Sequence, residues 1–182
     1  MPLAHDVRSN LVMLVNLLNT AAGRSGPEDR MATPEDLMRF VCAHDFTGSV
    51  HASALDVAAV RALRDRFQVS LEGDLQATVG AINVTFDEIR VFPQLVSHDD
   101  WGWHLHAAAD TGPLGERVAA DIALVLTDLI RSGDLTRLRR CAADDCSAAL
   151  ADFTKNGSKR FCDVRNCANR THVANYRTRH AS

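Results

Sequence analysis

Cys141, Cys146, Cys162 and Cys167 form two C-x4-C pairs, with fifteen residues between the pairs, in the last third of a 182-residue chain. Thiols stay reduced in the cytoplasm, so clustered cysteines there read as metal ligands before disulfides. Two disulfides or an iron–sulfur cluster are the competing chemistries, although no cysteine-rich ferredoxin run is present. Four thiolates placed tetrahedrally satisfy zinc and leave no position at which a water could be activated, so such a site is structural. About 45 residues with few aromatics bury too little surface to fold alone. Zinc binding would supply the deficit, on the order of ten kcal/mol.

Some element must bring the two pairs together. Leu135 to Arg140 reads as a strand leading into Cys141, and Lys159-Arg160-Phe161 as a second strand leading into Cys162. Cys167 falls near the start of a helix, where the backbone N–H groups favour a thiolate. One pair from a hairpin and one from a helix start make a treble-clef-like, four-cysteine arrangement with one structural zinc ion.

That last helix, Ala168 to about His180, places Arg170, Val173, Arg177 and His180 on one side and Asn169, His172, Tyr176 and Arg179 on the neighbouring side. Arginine reads guanine or clamps phosphate, and asparagine reads adenine. The loop Lys155-Asn156-Gly157-Ser158-Lys159-Arg160 offers amides and cations suited to phosphate. Candidate DNA contacts are therefore Asn169, Arg170, Arg177 and Arg179 on the helix, and Lys155, Lys159 and Arg160 on the loop. A merely solvated basic helix, a protein-docking module and an RNA-binding module are the alternatives.

Charge divides the chain. Residues 135–182 carry ten Lys/Arg against four Asp/Glu, a net +6, whereas residues 1–134 carry ten Arg against nineteen acids, a net −9. An acidic body with a basic tail implies that only the tail meets a polyanion, unless it docks on its own body. The apolar run Leu11 to Leu18 is too short to span a bilayer, and no basic secretory start precedes it. The expected location is the cytoplasm, with no membrane partner.

The body reads as helical, with a boundary near Gly133-Asp134 that separates residues 1–133 from 134–182. A buried helix runs from about Asp6 to Ala21, with Asn16 and Asn19 hydrogen-bonded in the core or at its end. Thr33-Pro34-Glu35-Asp36 starts a second helix, on which Cys42 reads as a buried small hydrophobe. A third begins near Ser53, with Leu55, Ala59, Leu63 and Phe67 inward. A fourth carries Leu75, Val79, Ile82, Phe86 and Ile89. After Phe92-Pro93 the pattern alternates about Asp99-Asp100, predicting a hairpin with Trp101, Trp103 and Leu105 on one face and His104 and His106 on the other. His-x-His with His98 or a nearby acid as third ligand could hold a metal; an exposed or ligand-facing strand is the more ordinary reading. A fifth helix, Leu114 to Ser132, buries Val118, Ile122, Val125, Leu126 and Leu129 and stops at Gly133. Nothing here resembles a nucleophile elbow or a phosphate loop, so no enzyme is expected.

Cys167-Ala168-Asn169-Arg170, with Cys162 before it and Tyr176-Arg177-x-Arg179 after it, resembles the CGNR zinc finger of bacterial proteins. Asp152-Phe153-Thr154-Lys155-Asn156 and Lys159-Arg160-Phe161-Cys162 fit the same pattern. Leu17-Leu18-Asn19-Thr20 and Thr33-Pro34-Glu35-Asp36-Leu37 are similar to the opening of the ABATE domain that accompanies it. Ala168 replaces the family's glycine, where a left-handed backbone would be strained, and Phe161 its usual tryptophan. The resemblance implies zinc, DNA binding and a role in stress-induced transcription regulation. The fold expected is mostly α with a small β-hairpin, a helical N-terminal domain followed by the finger. The body would sense a small-molecule effector or form a homodimer, with Arg90, Trp101, Trp103 and His104 as candidate ligand contacts.

Overall fold

The computed structural model describes residues 5–44, 46, 50–89, 91–97, 102–109 and 111–180. In chain order it comprises α1 (His5–Leu18), α2 (Pro34–Cys42), α3 (Ala54–Arg66) continuing into a 3-10 turn (Phe67–Leu71), and α4 (Leu75–Ile89). The strands β1 (Gln94–Ser97) and β2 (Trp103–His106) come next, then α5 (Leu114–Ser132). A short 3-10 turn (Leu135–Arg137) precedes β3 (Leu138–Arg140), β4 (Ala149–Ala151) and α6 (Cys167–His180). The protein is mostly helical, with two small antiparallel hairpins, β1–β2 and β3–β4.

The body is organised around α5, which packs on α1, α3 and α4. Its expected core face, Val118, Ile122, Val125, Leu126 and Leu129, is buried. Gly133 ends the helix at φ 76°, a left-handed conformation that closes the last turn through the Gly133 and Asp134 N–H groups. The starts of α2 and α3 are capping boxes, Thr33 with Asp36 and Ser53 with Asp56. Asp56 also accepts the Gly115 N–H at 2.9 Å, so one carboxylate caps α3 and receives the start of α5. A Cβ on Gly115 would lie 3.0 Å from the Ala59 Cβ, which marks the close approach of the two helices.

Several expectations are corrected. The first helix stops at Leu18, and residues 19 and 20 form a turn. The inward face of α3 is Val57, Val60, Leu63 and Arg64, leading into Phe67; Leu55 is 82% exposed, because the side of the first turn that meets the core carries Val57 instead. Arg64 occupies the core side by donating to both oxygens of Asp29, at 2.8 and 2.9 Å, and to Thr20. On α4, Leu75 is exposed while Ile82 is buried. Cys42 is exposed at the end of α2. The hairpin turn at Asp99-Asp100, His98 and the candidate contacts Arg90 and Trp101 lie outside the described residues. The flanking strands pair as alternation predicts, Leu95 opposite Leu105 and Val96 opposite His104, with His104 buried and Trp103 and Leu105 exposed.

Candidate metal centre

In the finger, β3 and β4 pair with Leu138 opposite Ala151 and Arg140 opposite Ala149. The expected partner strand, Lys159-Arg160-Phe161, does not form. Ala149–Ala151 takes that place because its residues alternate between two apolar surroundings. Ala149 and Ala151 join the body's core, whereas Leu150 joins a second cluster with the cysteines and Phe161. The segment before Cys162 keeps one link to the first knuckle, from the Ala142 N–H to the Arg160 carbonyl at 2.8 Å.

Cys141 follows β3 directly and donates its N–H to Ala148, while the Cys146 N–H closes a turn on Ala143. The second pair is joined by a turn over residues 163–166, and Cys167 is the first residue of α6. Asn166, at φ 51°, supplies the left-handed residue of that turn, and Ala168 sits in the helix free of strain. The four sulfurs lie within 4.8 Å of one another, all buried and none in a disulfide. Cys162 Sγ is 3.7 Å from Cys146 Sγ and 3.6 Å from Cys167 Sγ. Zinc–sulfur bonds of about 2.3 Å in a tetrahedron require sulfur–sulfur edges of about 3.8 Å, so the spacing fits the ion. The Cys162 N–H, 3.3 Å from Cys141 Sγ, adds the kind of contact that stabilises a thiolate. The centre holds one structural zinc ion.

Without metal, burial pushes the Cys162 thiol up to about 12, and a divalent cation at the centre reverses that by deprotonating its ligands. Burial also opposes ionisation of Cys167, but the Arg170 guanidinium and the neighbouring thiols outweigh it and hold that thiol below its usual value. Arg170 donates to Cys167 Sγ at 3.4 Å, to the Arg165 carbonyl, and to both oxygens of Asp145 at 2.5 and 2.8 Å. It straps α6 to the first knuckle across the metal site, and Asp145 is held below the ordinary carboxylate range by that bond.

Asp152 is the residue that sequence reasoning passed over as a site-builder. Fully buried, it accepts from the Lys159 N–H, from the Thr154 N–H and hydroxyl, and from Arg139, which also donates to the Gly157 carbonyl. Burial disfavours its charge, yet these donors keep the carboxyl below its usual value. One carboxylate therefore shapes the whole basic loop. The signal available was an acid placed directly after a small-residue strand and ahead of Thr154.

The finger is fastened to the body. Asn19, just past α1, donates to the Ala149 carbonyl at 3.0 Å and accepts the Ala149 N–H at 2.8 Å, completing the outer edge of β4 as a neighbouring strand would. Arg24 donates to the Ser147 carbonyl, Arg140 pairs with Glu72 at 3.0 Å, and Arg8 lies over the Phe153 ring at 4.3 Å.

The remaining predicted residues divide by position. Asn169, Arg177 and Arg179 are exposed on α6, and Lys155 and Arg160 are exposed on the loop. Lys159 reaches Asp163 at 2.5 Å and Arg160 lies 5.8 Å from the Phe161 ring centre. Trp103 and His104 are brought together in a cleft between α1, α5 and the hairpin. His104 Nε2 is 3.2 Å from His106 Nε2, and among the described residues only the cysteine cluster gathers three or more metal-ligating groups.

A family model described as CGNR zinc finger matches residues 137–180, and one described as "Putative stress-induced transcription regulator", the ABATE model, matches residues 11–133. No curated protein matches the chain. The ABATE match covers more than half of the sequence and the finger model spans the four zinc-binding cysteines, so the chain belongs to the ABATE family and is a zinc-binding regulator with a CGNR finger.

Proposed function

We propose that this protein regulates transcription in the cytoplasm by binding DNA through α6 and the loop 155–160. The observation that carries the reading is α6 itself. After its first turn no described side chain on it is buried, it bears Arg170, Arg177 and Arg179, and it contains no acid. A helix about 10–12 Å across fits a major groove about 12 Å wide. Arg177 and Lys155 are exposed and make no ion pair among the described residues. Arg170 is braced by Asp145, so the reading leans on Arg177, Arg179, Lys155, Lys159 and Arg160, with Asn169 beside them.

Four thiolates leave zinc no open position, which favours a scaffold over an enzyme. One finger buries only about 600–1,000 Å² on DNA, so a homodimer through the helical body is part of the proposal, as is effector sensing by that body.

The test is a binding titration of the full-length zinc-loaded protein against duplex DNA at several salt concentrations. Contact through about five phosphates predicts a log–log slope of about −4 to −5. Arg177→Ala with Arg179→Ala should flatten it by about 2. A salt-independent affinity, or a slope unchanged in the double variant, sinks the reading. Tighter binding to single-stranded RNA or to a protein under the same conditions would transfer it to those partners.

A further inference from the structure

We propose that the cleft between α1, α5 and the β1–β2 hairpin binds a small primary amine carrying an apolar body. The inference gives a chemical class to the effector of the reading above, and it does not depend on DNA binding. The cleft encloses about 170 Å³, below the usual range for drug-sized ligands, so its occupant is small. Aliphatic side chains from all three elements, among them Leu95 and Leu124, form its apolar wall, and Trp103 forms one side.

Besides His104, three polar side chains line this space: Asp6 and Asn10 from α1, and Asp128 from α5. None of the three makes a hydrogen bond or ion pair among the described residues. Burial, and then the charge of Asp6, push the Asp128 carboxyl above its ordinary value; Arg131, one turn on, pulls the other way without pairing to it. His104 is occupied elsewhere, with Nδ1 3.0 Å from the Gly102 carbonyl and Nε2 against His106, so it acts as wall.

The occupant follows from these groups. An anion would add to the repulsion between two carboxylates. A wholly apolar molecule would cover them without supplying donors, which is unfavourable. A metal ion needs at least three converging ligands, and no such set is present here among the described residues. An ammonium group supplies charge for both aspartates and three N–H donors, one of which suits the Asn10 carbonyl oxygen. Trp103, on one side of the cleft, supplies an aromatic surface to which a cation is attracted, and the aliphatic wall takes the carbon skeleton.

Isothermal titration of full-length zinc-loaded protein with 2-phenylethylamine, 2-phenylethanol and 3-phenylpropanoate tests the assignment. The amine is expected to saturate one site per chain, the alcohol to bind at least about tenfold more weakly, and the carboxylate not to bind, the charge-assisted bonds setting that margin. Asp128→Asn and Asp6→Asn should each weaken the amine about tenfold or more. Asp128→Asn removes a repelled half-buried charge, so its fold is expected to persist. Trp103 is 74% exposed, so Trp103→Ala provides a second variant that spares the core and should weaken the amine several-fold. Equal binding of amine and alcohol, an affinity unmoved in both aspartate variants, or no saturation by the amine at millimolar concentration each overturns the proposal.

Discussion

Replacing Asn19 by alanine isolates the attachment of finger to body. The Asn19 side chain is enclosed, at 2% exposure, and so is Ala149 at 1%. Truncation leaves the Ala149 N–H and carbonyl without the partners they now have at 2.8 and 3.0 Å. Each orphaned buried group costs about 1–3 kcal/mol, so about 2–6 kcal/mol is at stake. The chain can limit that loss only by lifting β4 away from α1 to admit water, which exposes Ala149 and Ala151. Urea unfolding of zinc-loaded protein should show a lower midpoint, and thermal unfolding a fall on the order of 10 °C, at about 2–4 °C per kcal/mol. Amide exchange at Ala149 should accelerate while zinc stays at one per chain. Asn19→Asp keeps the acceptor but sets a carboxylate against the Ala149 carbonyl, and should be no better. If Asn19→Ala loses less than about 0.5 kcal/mol, the range of an ordinary surface change, and Ala149 exchange is unaltered, the edge-capping argument is refuted.

Other outcomes follow from the same packing. Gly115→Ala should destabilise by about 1–3 kcal/mol, since the new methyl meets the Ala59 Cβ at 3.0 Å; Ala59→Gly in the same chain should recover part of the loss in urea unfolding. Chelation should remove one zinc per chain and reduce helical circular dichroism as α6 loses its anchored first residue; full helicity in metal-free protein would contradict the centre's role. Arg170→Gln or Asp145→Asn should speed zinc release to a chromophoric chelator, because both open the strap over Cys167. Two aspartates tilt stability in opposite directions with pH. The Arg64 hydrogen bonds hold Asp29 at about 2, so its contribution is full above the ordinary carboxylate value near 4 and disappears as pH falls toward 2. Asp128, raised by burial and Asp6, favours the folded state when protonated, so its contribution is lost as pH rises past its raised value. Unfolding curves of Asp29→Asn and Asp128→Asn across pH 2–7 should lose these two dependences separately.

Much of the fold is legible where local chemistry is decisive. Capping boxes at Thr33 and Ser53, the stop at Gly133 and the stripe of α5 all follow from signals a few residues long. The cysteine centre is legible too, because thiolates have few alternative uses at that spacing. What sequence misplaces depends on contacts distant in the chain. Leu55 fits the apolar period of α3 as well as Val57 does, and only the position of α5 decides between them. The second finger strand falls at Ala149–Ala151 because β4 lies between two apolar clusters, one of them built by residues over a hundred positions earlier. Arg170 carries a charge suited to phosphate, and nothing local reveals that Asp145, twenty-five residues back, claims it.

The bare helix α6 has a thermodynamic corollary. At 14 residues it is near the length at which an isolated helix is marginal in water, and after its first turn it has no core to lean on. Zinc, through Cys167, fixes the first turn and so removes the costly nucleation step. Any partner that grips the far turns therefore binds the metal-loaded chain better than the empty one. By reciprocity, that partner must tighten the hold on zinc by the same factor. Zinc supply and partner occupancy would then be two readings of one equilibrium, and a chelator competition run with and without the partner would measure the factor directly.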